Sequence, residues 1–212
     1  MRKVILLILV SLLISCDFIE KTNDIQDSML AKGFTIEGES IYFGESEFEF
    51  EKTVKLNNSA LEYSRQRKFI KARKTLLKAL DIEPQNPILW NNLGNVERVS
   101  PNESKAKKYF EKSIKVSDST YLVAVLNLGI LHSYSGDFDK SKKLFHYIIS
   151  NSDNDLLEAI SNLELTKLYI DTGNCEKAKK SFKIADKILN DLNVLKETKN
   201  DLKKFNLDYC QN

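Results

Sequence analysis

The chain has 212 residues, with 32 Lys/Arg against 30 Asp/Glu and two His, a formal net charge of +2 at pH 7. Hydrophobic residues at 42% and charged residues at 29% suit a protein with a packed interior and exclude a chain too polar to fold. Only seven glycines and three prolines interrupt the sequence, which argues against a sheet with many turns and for long helices.

Residues 1–15, MRKVILLILVSLLIS, place two cations before an eleven-residue stretch, 4–14, that is apolar except for Ser11. Crossing a bilayer takes about 20 apolar residues, so this stretch is too short to span one. A basic start, an apolar core of this length and a small residue behind it are the parts of a secretory signal peptide. Its removal would leave 197 residues, enough for one or two domains.

The near-neutral total conceals an asymmetry. Residues 16–52 form an acidic leader with ten Asp/Glu against three Lys, whereas residues 53–212 carry 27 Lys/Arg against 20 Asp/Glu. The leader is too apolar for a plain spacer, with Phe34, Ile36, Ile41, Tyr42, Phe43, Phe48 and Phe50 among its residues. Part of residues 34–50 is expected to pack on the basic body, helped by the opposite charge.

From residue 53 the chain repeats itself. FIKARKTLLKAL (69–80), ESKAKKYFEKSI (103–114), FDKSKKLFHYII (138–149) and CEKAKKSFKIAD (175–186) superimpose without gaps. Their small residues Ala72, Ala106, Ser141 and Ala178 are spaced by 34, 35 and 37. Large apolar residues follow four later (Leu76, Phe110, Phe145, Phe182), and Ala79, Ser113, Ile148 and Ala185 three after those. Steps of four and three keep one face of a helix. A second helical pattern precedes each block, with Ala60, Gly94, Gly129 and Thr166 in one shared slot twelve residues upstream. Small residues facing small residues let two backbones approach. Turn signals RQRK, SPNE, SGDF and TGNC separate the two patterns, and the prolines of DIEPQNP end the first repeat.

A pitch near 34 carrying W-x2-L-G, then A-x3-F-x2-A/S, then P, resembles the tetratricopeptide repeat. The resemblance implies an all-α solenoid of four helix-turn-helix repeats over about residues 53–86, 87–120, 122–155 and 159–192. A capping helix and tail, residues 193–212, would follow. Glu97 and His132 depart from the pattern by replacing the usual tyrosine of the first helix. One extra residue at the second junction and three at the third put the local twist there in question.

The box LISC, ending in Cys16, resembles the bacterial lipoprotein signal. That resemblance implies lipidation of Cys16 and anchoring to an envelope membrane, inner or outer, with the body in the periplasm or at the cell surface. The competing readings are an ordinary secretory peptide and a short uncleaved anchor.

Cys175 and Cys210 remain. In the implied fold, the second helix of repeat four and an antiparallel cap each run roughly 24 Å, which returns the chain end beside Cys175. A disulfide is one reading, excluded if the Cα atoms lie beyond about 7 Å. The other is a buried thiol filling an aromatic slot.

In the tetratricopeptide family the first helices line the concave groove. Carried over, that groove presents Asn58, Asn92, Asn127 and Glu164 at equivalent sites, with Asn57, Asn91, Asn95, Arg65 and Arg98 nearby. A row of amides can read an extended peptide backbone; its other reading is local satisfaction of neighbouring backbone. The carboxylate clamp of related chaperone-binding proteins is not expected, because its places hold Asn57, Asn91, Leu126 and Leu163. The convex side repeats Lys71/Arg73/Lys74, Lys105/Lys107/Lys108, Lys140/Lys142/Lys143 and Lys177/Lys179/Lys180, either a solvated face or a basic ridge.

No H-E-x-x-H, C-x-x-C or phosphate-cradling glycine loop is present, so neither metal nor cofactor is expected, nor is catalysis. The expected function is a membrane-anchored interaction scaffold or assembly adaptor of the bacterial envelope, holding an unidentified protein or peptide segment. The rival is a structural envelope factor that contacts membrane or cell wall through the ridge. Nucleic acid is not an expected partner.

Overall fold

The computed structural model describes residues 34–37, 40–43, 48–191 and 210. The expected signal peptide, Cys16, most of the leader and the expected capping helix lie outside the described residues. The chain divides into two units, residues 1–49 and 50–212.

In the first unit, strands β1 (Phe34–Glu37) and β2 (Ser40–Phe43) pair antiparallel, with Phe34 opposite Phe43 and Glu37 opposite Ser40. This two-stranded hairpin departs from the all-α expectation, which holds for the second unit. Its segments FTIE and SIYF concentrate β-branched and aromatic residues, which favour extended backbone.

The second unit is helical in all its regular structure among the described residues. It runs α1 (Glu51–Arg65), α2 (Phe69–Leu80), α3 (Pro87–Val99), α4 (Glu103–Val116), α5 (Leu122–Tyr134), α6 (Phe138–Asn151), α7 (Asp155–Asp171) and α8 (Cys175–Asp191). Helices α1/α2, α3/α4, α5/α6 and α7/α8 form four hairpins, each stacked on the next.

The close approach inside each hairpin has a specific cause. A Cβ at Gly94 would lie 2.4 Å from Phe110 Cε1, and one at Gly129 would lie 2.7 Å from Phe145 Cε1. The aromatic rings occupy the space that a side chain would take. In the first hairpin the equivalent pair is Ala60 with the smaller Leu76, both wholly buried. Enclosing Leu76, Phe110 or Phe145 contributes about 2–3 kcal/mol each relative to exposure. Polar small residues in these slots find acceptors: Ser113 Oγ donates to Pro87 O at 2.6 Å and Ser141 Oγ to Gly129 O at 2.8 Å. Between hairpins, α4 and α5 share a core of Ala106, Phe110, Leu128 and Leu131.

Turns and caps follow the sequence signals. Gly136 and Gly173 hold positive φ between paired helices, and Arg67 occupies the same slot at φ 56°. Asn86 caps α3 by accepting from Ile88 N at 2.9 Å, with Pro87 as the first helical residue. The buried carboxylate of Glu83 accepts from Phe50 N at 3.1 Å and Asn86 Nδ2 at 2.7 Å, fastening the start of α1 to the first inter-repeat loop. At the third junction the extra residues are taken up as helix. Asn154 accepts from Leu156 N and Leu157 N, so α7 starts at Asp155 and has 17 residues.

Candidate interaction faces

The first helices bring their asparagines together, though not towards solvent. Asn57, Asn91, Asn92, Asn95 and Asn127, expected to face a groove, are all buried. Asn92 Nδ2 donates to Asn57 Oδ1 at 2.8 Å, and Asn127 Nδ2 donates to Asn91 Oδ1 at 2.9 Å. Longer contacts, Asn57 Nδ2 to Asn58 Oδ1 at 3.4 Å and Asn91 Nδ2 to Asn92 Oδ1 at 3.5 Å, complete a relay across α1, α3 and α5. Adjacent repeats bring each amide within reach of the next, and amide-to-amide bonding replaces water. These four therefore hold repeats in register. Asn95 differs: it is 0% exposed, yet neither its Nδ2 nor its Oδ1 has a hydrogen-bond partner among the described residues.

Of the other groove candidates, Asn58 and Arg65 are exposed, while Arg98 and Glu164 are half-buried. Arg65 Nη1 donates to Glu62 Oε2 at 3.1 Å, and Glu164 accepts from Lys167 at 2.6 Å.

The expected ridge on the second helices is not uniform. Arg73 leaves it: its Nε donates to Glu97 Oε1, a carboxylate wholly buried in the slot where the repeat pattern has tyrosine. Where the tyrosine is kept, a lysine lies over it. Lys71 Nζ is 5.8 Å from the Tyr63 ring centroid and Lys177 Nζ 5.7 Å from that of Tyr169. Lys107 approaches Glu111 at 4.0 Å, Lys140 pairs with Asp137, Lys142 pairs with Asp139 at 2.8 Å, and Lys179 donates to Cys210 O at 3.4 Å. Lys74, Lys105, Lys108, Lys143 and Lys180 are exposed, with no ion pair among the described residues.

His132, the second departure from tyrosine, is 8% exposed and lines a cleft of about 210 Å³ with Glu103, Lys107, Leu131, Ser135 and Asp137. Its Nδ1 lies 3.6 Å from Asp137 Oδ2. Burial, then the Lys107 charge, pushes the imidazole pKa below 6.5, partly opposed by Asp137. At the third seam His146 Nε2 is 3.3 Å from Tyr169 Oη.

The sulfurs of Cys175 and Cys210 are bonded, with Cα atoms 5.4 Å apart. Among the described residues no group of three or more His, Cys, Asp or Glu is placed to hold a metal, and no helix is long and apolar enough to cross a membrane.

Residues 51–191 thus form a solenoid of helical hairpins. More narrowly, it is a tetratricopeptide-repeat fold. The family model described as tetratricopeptide repeat matches residues 45–86. No curated protein matches the chain in sequence. Among solved structures, BtubC from P. vanneervenii is similar at 19% identity over 68% of each chain, with a TM-score of 0.58. A tetratricopeptide repeat protein from Parabacteroides merdae shares 14% identity over 75% of this chain and 67% of its own (TM-score 0.54). The first repeat domain of Spaghetti (RPAP3), bound to the HSP90 peptide SRMEEVD, shares 19% identity over 61% of this chain and 99% of its own (TM-score 0.51). At these identities the likeness is one of fold.

Proposed function

We propose that the protein is an interaction scaffold of a bacterial cell envelope, held to a membrane through lipidated Cys16 and engaging a segment of a partner protein along its first helices. The tetratricopeptide fold supports the scaffold reading, since its common use is protein–protein interaction. The observation that carries the groove is Asn95. An enclosed amide with neither atom bonded costs about 1–3 kcal/mol, and a partner's main chain, offering one acceptor and one donor, would relieve it once the side chains that cover it swing aside. Asn58, Arg65 and Glu164 would flank that contact. The Cys175–Cys210 bond suits an oxidising compartment and supports export.

Asn95→Leu separates this role from a structural one. Removing a buried amide that bonds nothing should leave thermal stability unchanged or raised, while photo-crosslinking to the partner in native membranes, from a probe at Asn58, should fall at least about tenfold, equivalent to ~1.4 kcal/mol. Unchanged crosslinking in a folded variant would remove Asn95 from the binding face. For the anchor, incorporation of labelled fatty acid into the protein should vanish in Cys16→Ala; labelling that persists would refute attachment there.

A further inference from the structure

The outer row of lysines is left unused by the groove. Lys74, Lys108, Lys143 and Lys180 each stand two residues after the buried small residue of a second helix, spaced by 34, 35 and 37. Two residues turn roughly 200° about a helix axis, so burying the small residue points each lysine outward, and all four are exposed. Six neighbouring cations, Lys71, Arg73, Lys107, Lys140, Lys142 and Lys177, are neutralised or covered within the protein, by Glu97, Glu111, Asp137, Asp139 and two tyrosine rings. These four have no ion pair or hydrogen bond among the described residues; Asp139, one turn before Lys143, bonds Lys142 instead. One turn beyond Lys143 and Lys180 stand Tyr147, 40% exposed, and Ile184, 37% exposed. Residues four apart share a helix face, so cation and apolar group project together.

A bare ammonium beside an outward apolar side chain is the combination that binds anionic bilayers: the charge meets headgroup phosphate while the apolar group enters the interfacial layer. A polyanion held by charge alone would leave Tyr147 and Ile184 without a role. We propose that the outward faces of α2, α4, α6 and α8 dock on an anionic lipid surface, with Lys74, Lys108, Lys143 and Lys180 meeting headgroup phosphates and Tyr147 and Ile184 entering between them.

Residue-resolved amine labelling of the full-length protein tests this, on vesicles of phosphatidylcholine alone or mixed with phosphatidylglycerol. Insertion of the apolar residues 4–14, with the cations Arg2 and Lys3 ahead of them, would recruit the chain without protecting these four lysines over Lys55, which serves as the internal reference. Labelling of the four lysines should slow about fivefold on the anionic vesicles and recover in high salt. Lys55, paired with Glu51 on a first helix, should not change. Equal labelling on both vesicle types would overturn the proposal, as would stronger protection by soluble polyglutamate than by anionic vesicles, which would point to an acidic protein.

Discussion

A methyl group added at Gly94 would meet the Phe110 ring at less than van der Waals distance. Gly94→Ala gains about 1 kcal/mol in helix propensity, but overpacking costs up to about 3 kcal/mol. We expect a net loss of about 2 kcal/mol in chemical denaturation. The first hairpin indicates the repair, because it already combines Ala60 with Leu76. The double variant Gly94→Ala/Phe110→Leu should therefore recover much of the loss, whereas additive losses would show that the ring and the glycine do not share one space. This pairing of small and large residues was legible in the sequence, since it depends only on spacing. The fate of Asn57, Asn91, Asn92 and Asn127 was not: a helical wheel places them on the first helix, but only the neighbouring repeat decides whether an amide meets water or another amide. Glu97 was visible as a departure from tyrosine, while its partner Arg73 lay hidden among ridge cations of the same composition.

Helix α5 carries a buried imidazole, His132. His132 is held neutral by burial, with Lys107 and Lys140 opposing its charged form and Asp137 and Glu111 favouring it. Its folded pKa is below 6.5, so the unfolded chain binds the proton first. The stability it supports is complete above about 6.5 and is lost as pH falls from there towards the lowered folded value. Asp137 and Asp139, whose pKa values are lowered mainly by hydrogen bonds from Lys140 and Lys142, lose their contribution only below 3.8, in a separate window. His132→Tyr, restoring the residue typical of the repeat, should flatten the dependence of melting temperature on pH between 7 and 5 (a range set by the imidazole); an unchanged slope would assign it to other groups. Helix existence followed from the periodicity, but boundaries shifted where capping intervened, as at Asn154. The hairpin β1/β2 is not legible in the sequence because two four-residue segments show too little alternation to separate them from a polar tail with scattered aromatics.

At the scale of the molecule, the Cys175–Cys210 bond closes a loop of 35 residues in sequence. Restricting the unfolded chain in this way stabilises by about 4 kcal/mol. Reduction should therefore lower stability most near the end of the array, with amide hydrogen exchange rising in α7 and α8 before α3; a uniform rise would mean that the bond supports no particular repeat. The pitch of the array could be read from residue numbers alone. The polar contacts at its seams could not, and they differ at each one. Arg73 meets Glu97 at the first, Lys107 faces His132 across a cleft at the second, and His146 meets Tyr169 at the third. Skipping one hairpin during folding would set Arg73 against His132, two basic groups, and strand the carboxylate of Glu97. Modules of one architecture are thereby made non-interchangeable, and the chain can tell its own order when it assembles.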